Sequence, residues 1–249
     1  MYFKTEGLIL RETEYKDADK LLTVLTKDRG RLTLRARGVR SRNSKLKSGC
    51  QLLAYTEFTV YESSKSMLVD EAVPIELFIP LRQDIELLSL ASYFAQVAEV
   101  LSQEDDPNSG LLSLCLNSVY ALSKLGRPQN LVKAAFELRA ACLAGYEPML
   151  EQCVVCGNPQ PERFHISDGV MTCGSCLLPE ENGIRLPVHN GTRTAMRYIE
   201  SCDMKRLFSF SLGPESLREL GELTEAYLLA QLERGFFTLD FYKSLQISH

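Results

Sequence analysis

The sequence predicts an α+β chain: a small five-stranded β-barrel followed by an α-helical domain with an inserted four-cysteine metal module. Three observations carry this. Residues 1–80 hold short runs of alternating polarity with no strong helix among them. Beyond Pro80 the apolar period changes to three and four. Two C-x-x-C pairs then interrupt the helical pattern. The expected division is a barrel over 1–80 and a helical domain over 81–249, with the metal module at 150–180.

The strands come first. Thr5–Glu12 alternates around Leu8 and Leu10, and Leu21–Thr26 follows. A turn at Asp28-Arg29-Gly30 leads into Arg31–Ala36, where Leu32, Leu34 and Ala36 face one way and Arg31, Thr33 and Arg35 the other. Tyr55–Tyr61 is rich in aromatic and β-branched residues. Its alternation assigns Phe58 to the core and puts Tyr55 and Tyr61 on the opposite face. Ser66–Val73 supplies a fifth run. A closed barrel hides edges that a flat five-stranded sheet would expose.

The helices follow. From Asp84, a plausible N-cap, one stripe runs Leu87, Leu90, Ala91, Phe94, Val97, Ala98 and Leu101. Further helices are expected over Leu111–Leu125, stopped by Gly126-Arg127-Pro128, and over Gln129–Ala144, ended by Gly145. Two more fall near Gly191–Ser201 and Glu215–Arg234.

Of eight cysteines, Cys153, Cys156, Cys173 and Cys176 are spaced C-x2-C-x16-C-x2-C. Each pair sets two thiolates on one turn. The sixteen-residue connection has room for a short hairpin that brings the pairs together, the pattern of a four-cysteine zinc site. Gly157 and Gly174 are expected to use positive φ, letting amides reach sulfur. Four thiolates fill a tetrahedral shell, so one zinc ion here is structural and activates no water. His165 is followed by Ile166-Ser167 and Thr172 precedes Cys173, which excludes the H-x-E and P-C-x-x-C signature of zinc deaminases. His165 could replace one cysteine, but four cysteines suffice, and it is expected to be a surface or packing residue of the hairpin. Cys50, Cys115, Cys142 and Cys202 are scattered; Cys115 and Cys142 fall on apolar helical faces and read as buried small hydrophobes.

The net charge of −4 conceals an asymmetry. Residues 1–50 carry thirteen Lys or Arg against six Asp or Glu, a surplus of seven, which leaves −11 on the other 199 residues. From Arg29 to Lys47 run eight cations, Arg29, Arg31, Arg35, Arg37, Arg40, Arg42, Lys45 and Lys47, with no acid between them. Gly38, Ser41, Asn43, Ser44 and Ser48 interleave, so a strand end and a mobile loop are expected to carry the charges. Ordinary surfaces mix signs, whereas phosphate backbone suits a run of one sign. Tyr55 and Tyr61 are candidate platforms on which unpaired bases stack.

No window approaches the ~18 apolar residues of a membrane-spanning helix. The N-terminus lacks the apolar core of a signal peptide, which points to the cytoplasm. Three histidines, His165, His189 and His249, and no G-x-S-x-G, H-E-x-x-H, P-loop or G-x-G-x-x-G make a non-enzymatic protein the expectation. The run Glu104-Asp105-Asp106 reads as solvated charge in a loop.

Several stretches together resemble the bacterial recombination mediator family RecO, across essentially the whole chain. They are T-E-G-L-I-L-R at Thr5–Arg11, L-T-x-x-x-G-R-L-T-L-R-A-R-G at Leu25–Gly38 with the basic loop after it, and F-E-L-R-x-x-x-L-A-G-Y-x-P-x-L-x-x-C-V-x-C-G from Phe136 to Gly157. The last is the most specific, and the cysteine pairs point to the zinc-containing subgroup. The resemblance implies that the barrel is an OB-fold. It implies a DNA repair and recombination protein that binds single- and double-stranded DNA and anneals complementary strands. With RecR, such a protein helps RecA displace single-strand-binding protein, whose C-terminal tail it contacts through the helical domain. DNA contact is then expected at Arg35, Arg37, Arg40, Arg42, Lys45 and Lys47, and a place near the nucleoid.

Other readings stay open on the residues alone. A zinc-containing transcription regulator would need a recognition helix rich in Arg, Lys and Asn, whereas the helices here are apolar or acidic outside Arg193–Arg197. An RNA-binding barrel and an uncharacterised hydrolase are separable only by assay.

Overall fold

The alternation of the first eighty residues closes into a barrel in the computed structural model of the chain, which describes residues 1–64, 66–178 and 183–246. Its strands are β1 (Tyr2–Tyr15), β2 (Asp19–Thr26), β3 (Arg31–Ala36), β4 (Tyr55–Glu62) and β5 (Met67–Glu76). They close in the order β1-β2-β3-β5-β4. Every pairing is antiparallel except β3 with β5, where Leu34 opposes Met67 and Arg35 opposes Leu68. A five-stranded barrel of this order is an OB-fold.

Period-two patterning explains the core. Leu32, Leu34 and Ala36 of β3 point inward with Leu22, Val24, Phe58 and Val60. β1 is buried on both faces: Ile9 enters the barrel core, while Leu8 and Leu10, 1% and 4% exposed, face outward. A helix lies against that outer face, so Leu8, Ile9 and Leu10 form a continuous apolar run in the middle of β1 where one-sided burial would alternate. A register shift between Ile9 and Arg11 marks the bend.

The chain forms two compact units: Met1–Gly126 together with the chain from Phe236 on, and Arg127–Gly235. The change from strand to helix comes near residue 80, but the barrel's unit keeps the next two helices, which cover β1. These are α1 (Ile85–Leu101) and α2 (Ser109–Ser123). Asp84 caps α1 through the amides of Glu86 and Leu87 at 2.9 and 3.1 Å. A last helix, α6 (Phe237–Gln246), returns to α1. Phe236 meets Tyr93 edge-on at 5.6 Å, and the Thr238 hydroxyl donates to Gln96 Oε1. The periodicity beyond Arg234 had not indicated α6. Its ten residues follow a break in which Glu233 takes φ +50°.

The second unit holds α3 (Gln129–Leu143), three short strands β6 (Arg163–His165), β7 (Val170–Thr172) and β8 (Arg185–Pro187), then α4 (Asn190–Ser201) and α5 (Pro214–Gln231). The strands form one sheet in the order β7-β6-β8, with β6 antiparallel to both neighbours. α3 packs on α5, and Phe164 meets Tyr227 edge-on at 5.3 Å. Residues 179 and 180 of the expected metal module, and His249, lie outside the described residues. Among the described residues no helix is long and apolar enough to cross a membrane.

Candidate nucleic-acid interface and metal centre

The basic run begins in the turn before β3, follows that strand to Ala36 and swings away at Gly38, which takes φ +61°. The expected mobile loop is instead a succession of turns: the amides of Ser41, Ser44 and Cys50 donate to the carbonyls of Gly38, Ser41 and Leu46 at 3.0, 3.2 and 3.0 Å. Apolar side chains staple it down. Val39, Cys50 and Ala54 belong to the barrel core, with Leu46 packed against them. At Gly49 a Cβ would lie 2.6 Å from the carbonyl oxygen of Ala72, so the return of the loop runs hard against β5. Between those anchors the cations stand outward.

They divide into two groups. Arg29 pairs with Glu62 at 3.4 Å and lies 3.9 Å above the Phe3 ring. Arg31 donates to the carbonyl of Glu99 at 2.8 Å. Arg35 is bound to Asp19, and Arg40 pairs with Glu14 at 3.0 Å. Arg37, Arg42, Lys45 and Lys47 are exposed and make no ion pair among the described residues. The expectation that Arg35 is open to a ligand therefore meets a carboxylate already in place. Asp19 gave no sign in the sequence. It lies sixteen residues before Arg35, and only the β2–β3 register, with Leu21 opposite Arg35, brings the two together.

Of the aromatics, Phe58 is wholly buried, as alternation required. The Tyr55 hydroxyl donates to Glu6 Oε2 at 2.7 Å. Burial and the Glu6 carboxylate push the phenol's pKa up. Tyr61 is exposed and sits beside Tyr2, ring centres 5.1 Å apart.

In the second unit the four cysteine sulfurs all lie within 4.8 Å of one another. Cys156 and Cys173 are 3.7 Å apart, against the ~3.8 Å edge of a tetrahedron with ~2.3 Å zinc–sulfur bonds. The predicted hairpin brings them together: β6 and β7 pair Arg163 with Thr172, delivering Cys173 beside the first pair. The first pair is tied in turn to the same strand, Val154 donating to the Met171 carbonyl at 3.0 Å. Gly157 takes φ +73°, as expected. Gly174 does not use positive φ. Its amide donates to Glu162 Oε1 at 3.2 Å, and a Cβ there would lie 2.5 Å from that oxygen. Asn158, which the spacing had not singled out, donates to Cys173 Sγ at 3.2 Å. His165 is buried and bonded through Nε2 to the Thr172 hydroxyl at 2.9 Å, so it packs in the hairpin.

The charge state follows from the geometry. Burial opposes ionisation of Cys153, but the amides of Cys156, Cys173 and Val155 outweigh it and bring the thiol down to about 6. The hydrogen bond from the Cys176 thiol to Cys156, burial and the Cys153 charge push Cys176 up to about 12. Thiolates this close repel, and a divalent cation at their centre removes the penalty. The cluster fits a metal ion with all four positions filled by sulfur.

The fold and site define an OB-barrel protein whose second unit bears a four-cysteine cluster able to hold a metal ion. Comparison with known proteins narrows the class. Residues 1–78 match the family model described as recombination protein O N terminal, and residues 82–240 the one described as recombination protein O C terminal. The DNA repair protein RecO of Acetivibrio thermocellus is 32% identical over 246 residues, covering 98% of this chain and 97% of that protein. The RecO proteins of Moorella thermoacetica and Bacillus pumilus are 30% and 27% identical, covering 98% and 91% of this chain and 91% and 88% of theirs. The chain belongs to the RecO family of DNA repair proteins.

Proposed function

We propose that this chain is a non-enzymatic recombination mediator of the cytoplasm, acting at the nucleoid. It binds single- and double-stranded DNA and anneals complementary strands. With RecR it helps RecA replace single-strand-binding protein, whose C-terminal tail the helical domain engages. The barrel over 1–80 is the DNA-binding domain, and 81–249 carries the metal module. One zinc ion, held by Cys153, Cys156, Cys173 and Cys176, shapes that module and takes no part in chemistry.

The observation that carries this reading is the set of exposed cations Arg37, Arg42, Lys45 and Lys47, which make no ion pair among the described residues, on a loop of turns leaving an OB-barrel. Phosphate contacts there release counterions, which supplies affinity without sequence preference. Arg40 joins them by leaving Glu14, an exposed pair of little intrinsic strength. Two strands neutralised on one surface repel each other less, so annealing needs no nucleotide hydrolysis. Tyr61 offers a stacking face at the rim.

Annealing of complementary oligonucleotides by wild type and by the Arg37, Arg40 and Arg42 triple-alanine variant tests the reading. Annealing should be lost while the fold survives. Retained annealing would remove the loop from the function. The same assay on DNA coated with single-strand-binding protein, with and without its tail, tests the partner.

A further inference from the structure

Asp19 opens β2 opposite Tyr15 and is only 8% exposed. Both of its oxygens are engaged. Oδ2 accepts from Arg35 Nε and Nη2 at 2.8 and 2.6 Å, and Oδ1 accepts from the Gly38 amide at 2.8 Å. The Arg35 guanidinium also stands 5.0 Å from the centre of the Tyr15 ring. One residue before Asp19, the Ala18 carbonyl accepts from the Arg40 amide at 3.0 Å. The start of β2 and the residue before it thus hold the end of β3 and the loop after it at Arg35, Gly38 and Arg40, and Arg37 lies between the first two.

A group with this arrangement contributes preorganisation rather than contact. Gly38 is where the chain swings into its left-handed turn, and a charge-assisted bond to its amide fixes the direction of departure from β3. Arg35 spends its Nε and Nη2 donors on one oxygen of the carboxylate, lies close to an aromatic ring and has its side chain only 21% exposed, so most of its donor edge is committed before any phosphate arrives. We propose that Asp19 is the positioning residue of the cationic loop, and that Arg35 serves this clamp rather than contacting DNA. The proposal rests on the reading of the loop as the DNA-binding surface.

Salt dependence separates contact from positioning, because each phosphate contact on single-stranded DNA adds ~0.7 to the slope of log affinity against log salt. The measurement is fluorescence anisotropy of a labelled oligo-dT across a salt series, for wild type, R37Q, D19N, R35Q and the D19N/R35Q double variant. R37Q should flatten the slope by ~0.7. D19N and R35Q should each weaken binding about tenfold at fixed salt with the wild-type slope, the cost of ordering a loop that is no longer held. The double variant should bind no more weakly than the worse single, since both act on one clamp. A slope flattened equally by R35Q and R37Q would make Arg35 a contact and overturn the proposal. Binding by D19N as tight as wild type or tighter would overturn it too, leaving Asp19 a competitor of phosphate. If D19N does not fold, the R35Q slope decides alone. Wild-type binding indifferent to salt, with R37Q unchanged, would instead sink the DNA-binding reading itself.

Discussion

Lys133 on α3 lies 2.7 Å from Glu225 of α5 and 2.8 Å from Glu137, one turn further along its own helix. Glu137 is 0% exposed, and its other oxygen accepts from the Thr224 hydroxyl at 3.0 Å. The triad crosses the main helix pair of the second unit. Burial would push the Lys133 ammonium down, but Glu137 and Glu225 together hold it above its ordinary value of 10.5. Its contribution is therefore complete below pH 10.5 and is lost as pH rises through the raised value. Lys133→Ala leaves a buried carboxylate without its ammonium and should destabilise this unit by about 3–5 kcal/mol, read from urea unfolding at neutral pH.

The cysteine module makes a different prediction. Ligation supplies the stability that a loop-rich segment lacks, so purified protein should hold one zinc per chain by elemental analysis. Chelation or Cys153→Ser should lower the melting transition of Arg127–Gly235 by more than about 10 °C. The strand signal of the barrel should persist. Chelation should also open the cluster thiols to alkylation. Cys50, Cys115 and Cys142, which burial pushes up to about 12, should stay unreactive while the fold holds.

Where barrel gives way to helices, Glu76 Oε1 accepts from the amides of Leu77 and Phe78, both at 3.0 Å, and Phe78 adopts φ +47°. The Phe78 amide, with Lys124 beside it, holds the carboxyl below its ordinary 4.5 despite partial burial. The stabilisation is present above pH 4.5 and disappears as pH falls through the depressed value. Glu76→Gln should cost about 1 kcal/mol at pH 7, the site being half-exposed and screened. The gap between variant and wild-type melting should close in acid.

Gly30 is a fourth test. It takes φ +61° and pairs with Glu104, and a Cβ would lie 2.5 and 2.6 Å from the carbonyl oxygens of Gln103 and Asp106. Gly30→Ala combines left-handed strain with a clash against backbone. It should lower stability by about 2–4 kcal/mol, with the urea midpoint falling at an unchanged slope.

What the sequence made legible was local. Alternation in Arg31–Ala36 and around Phe58 assigned core and surface correctly because a strand has one period and the barrel one inside. Asp84 announced its helix because a cap acts on amides two and three residues away. The cysteine spacing foretold the hairpin because two residues within a pair keep its sulfurs on one turn, and the sixteen between the pairs must fold back to gather all four. Pairings fixed by distant register stayed hidden. Asp19 with Arg35, Glu162 with the Gly174 amide and the anchoring of the loop by Val39 and Cys50 all depend on which strands become neighbours. The helix after Phe236 was missed for a related reason: what holds it is Tyr93 and Gln96, some 140 positions earlier.

That helix also alters the covalent logic of the molecule. Because the chain re-enters its first unit at Phe236, Arg127–Gly235 is an insertion tethered at both ends. A single proteolytic nick near Gly126 should leave the two fragments associated, with α6 still docked on α1, whereas a protein built as consecutive beads would fall into two pieces. Excising the inserted unit takes two cuts, and removing the C-terminal helix injures the barrel's half of the protein rather than the half it follows in sequence.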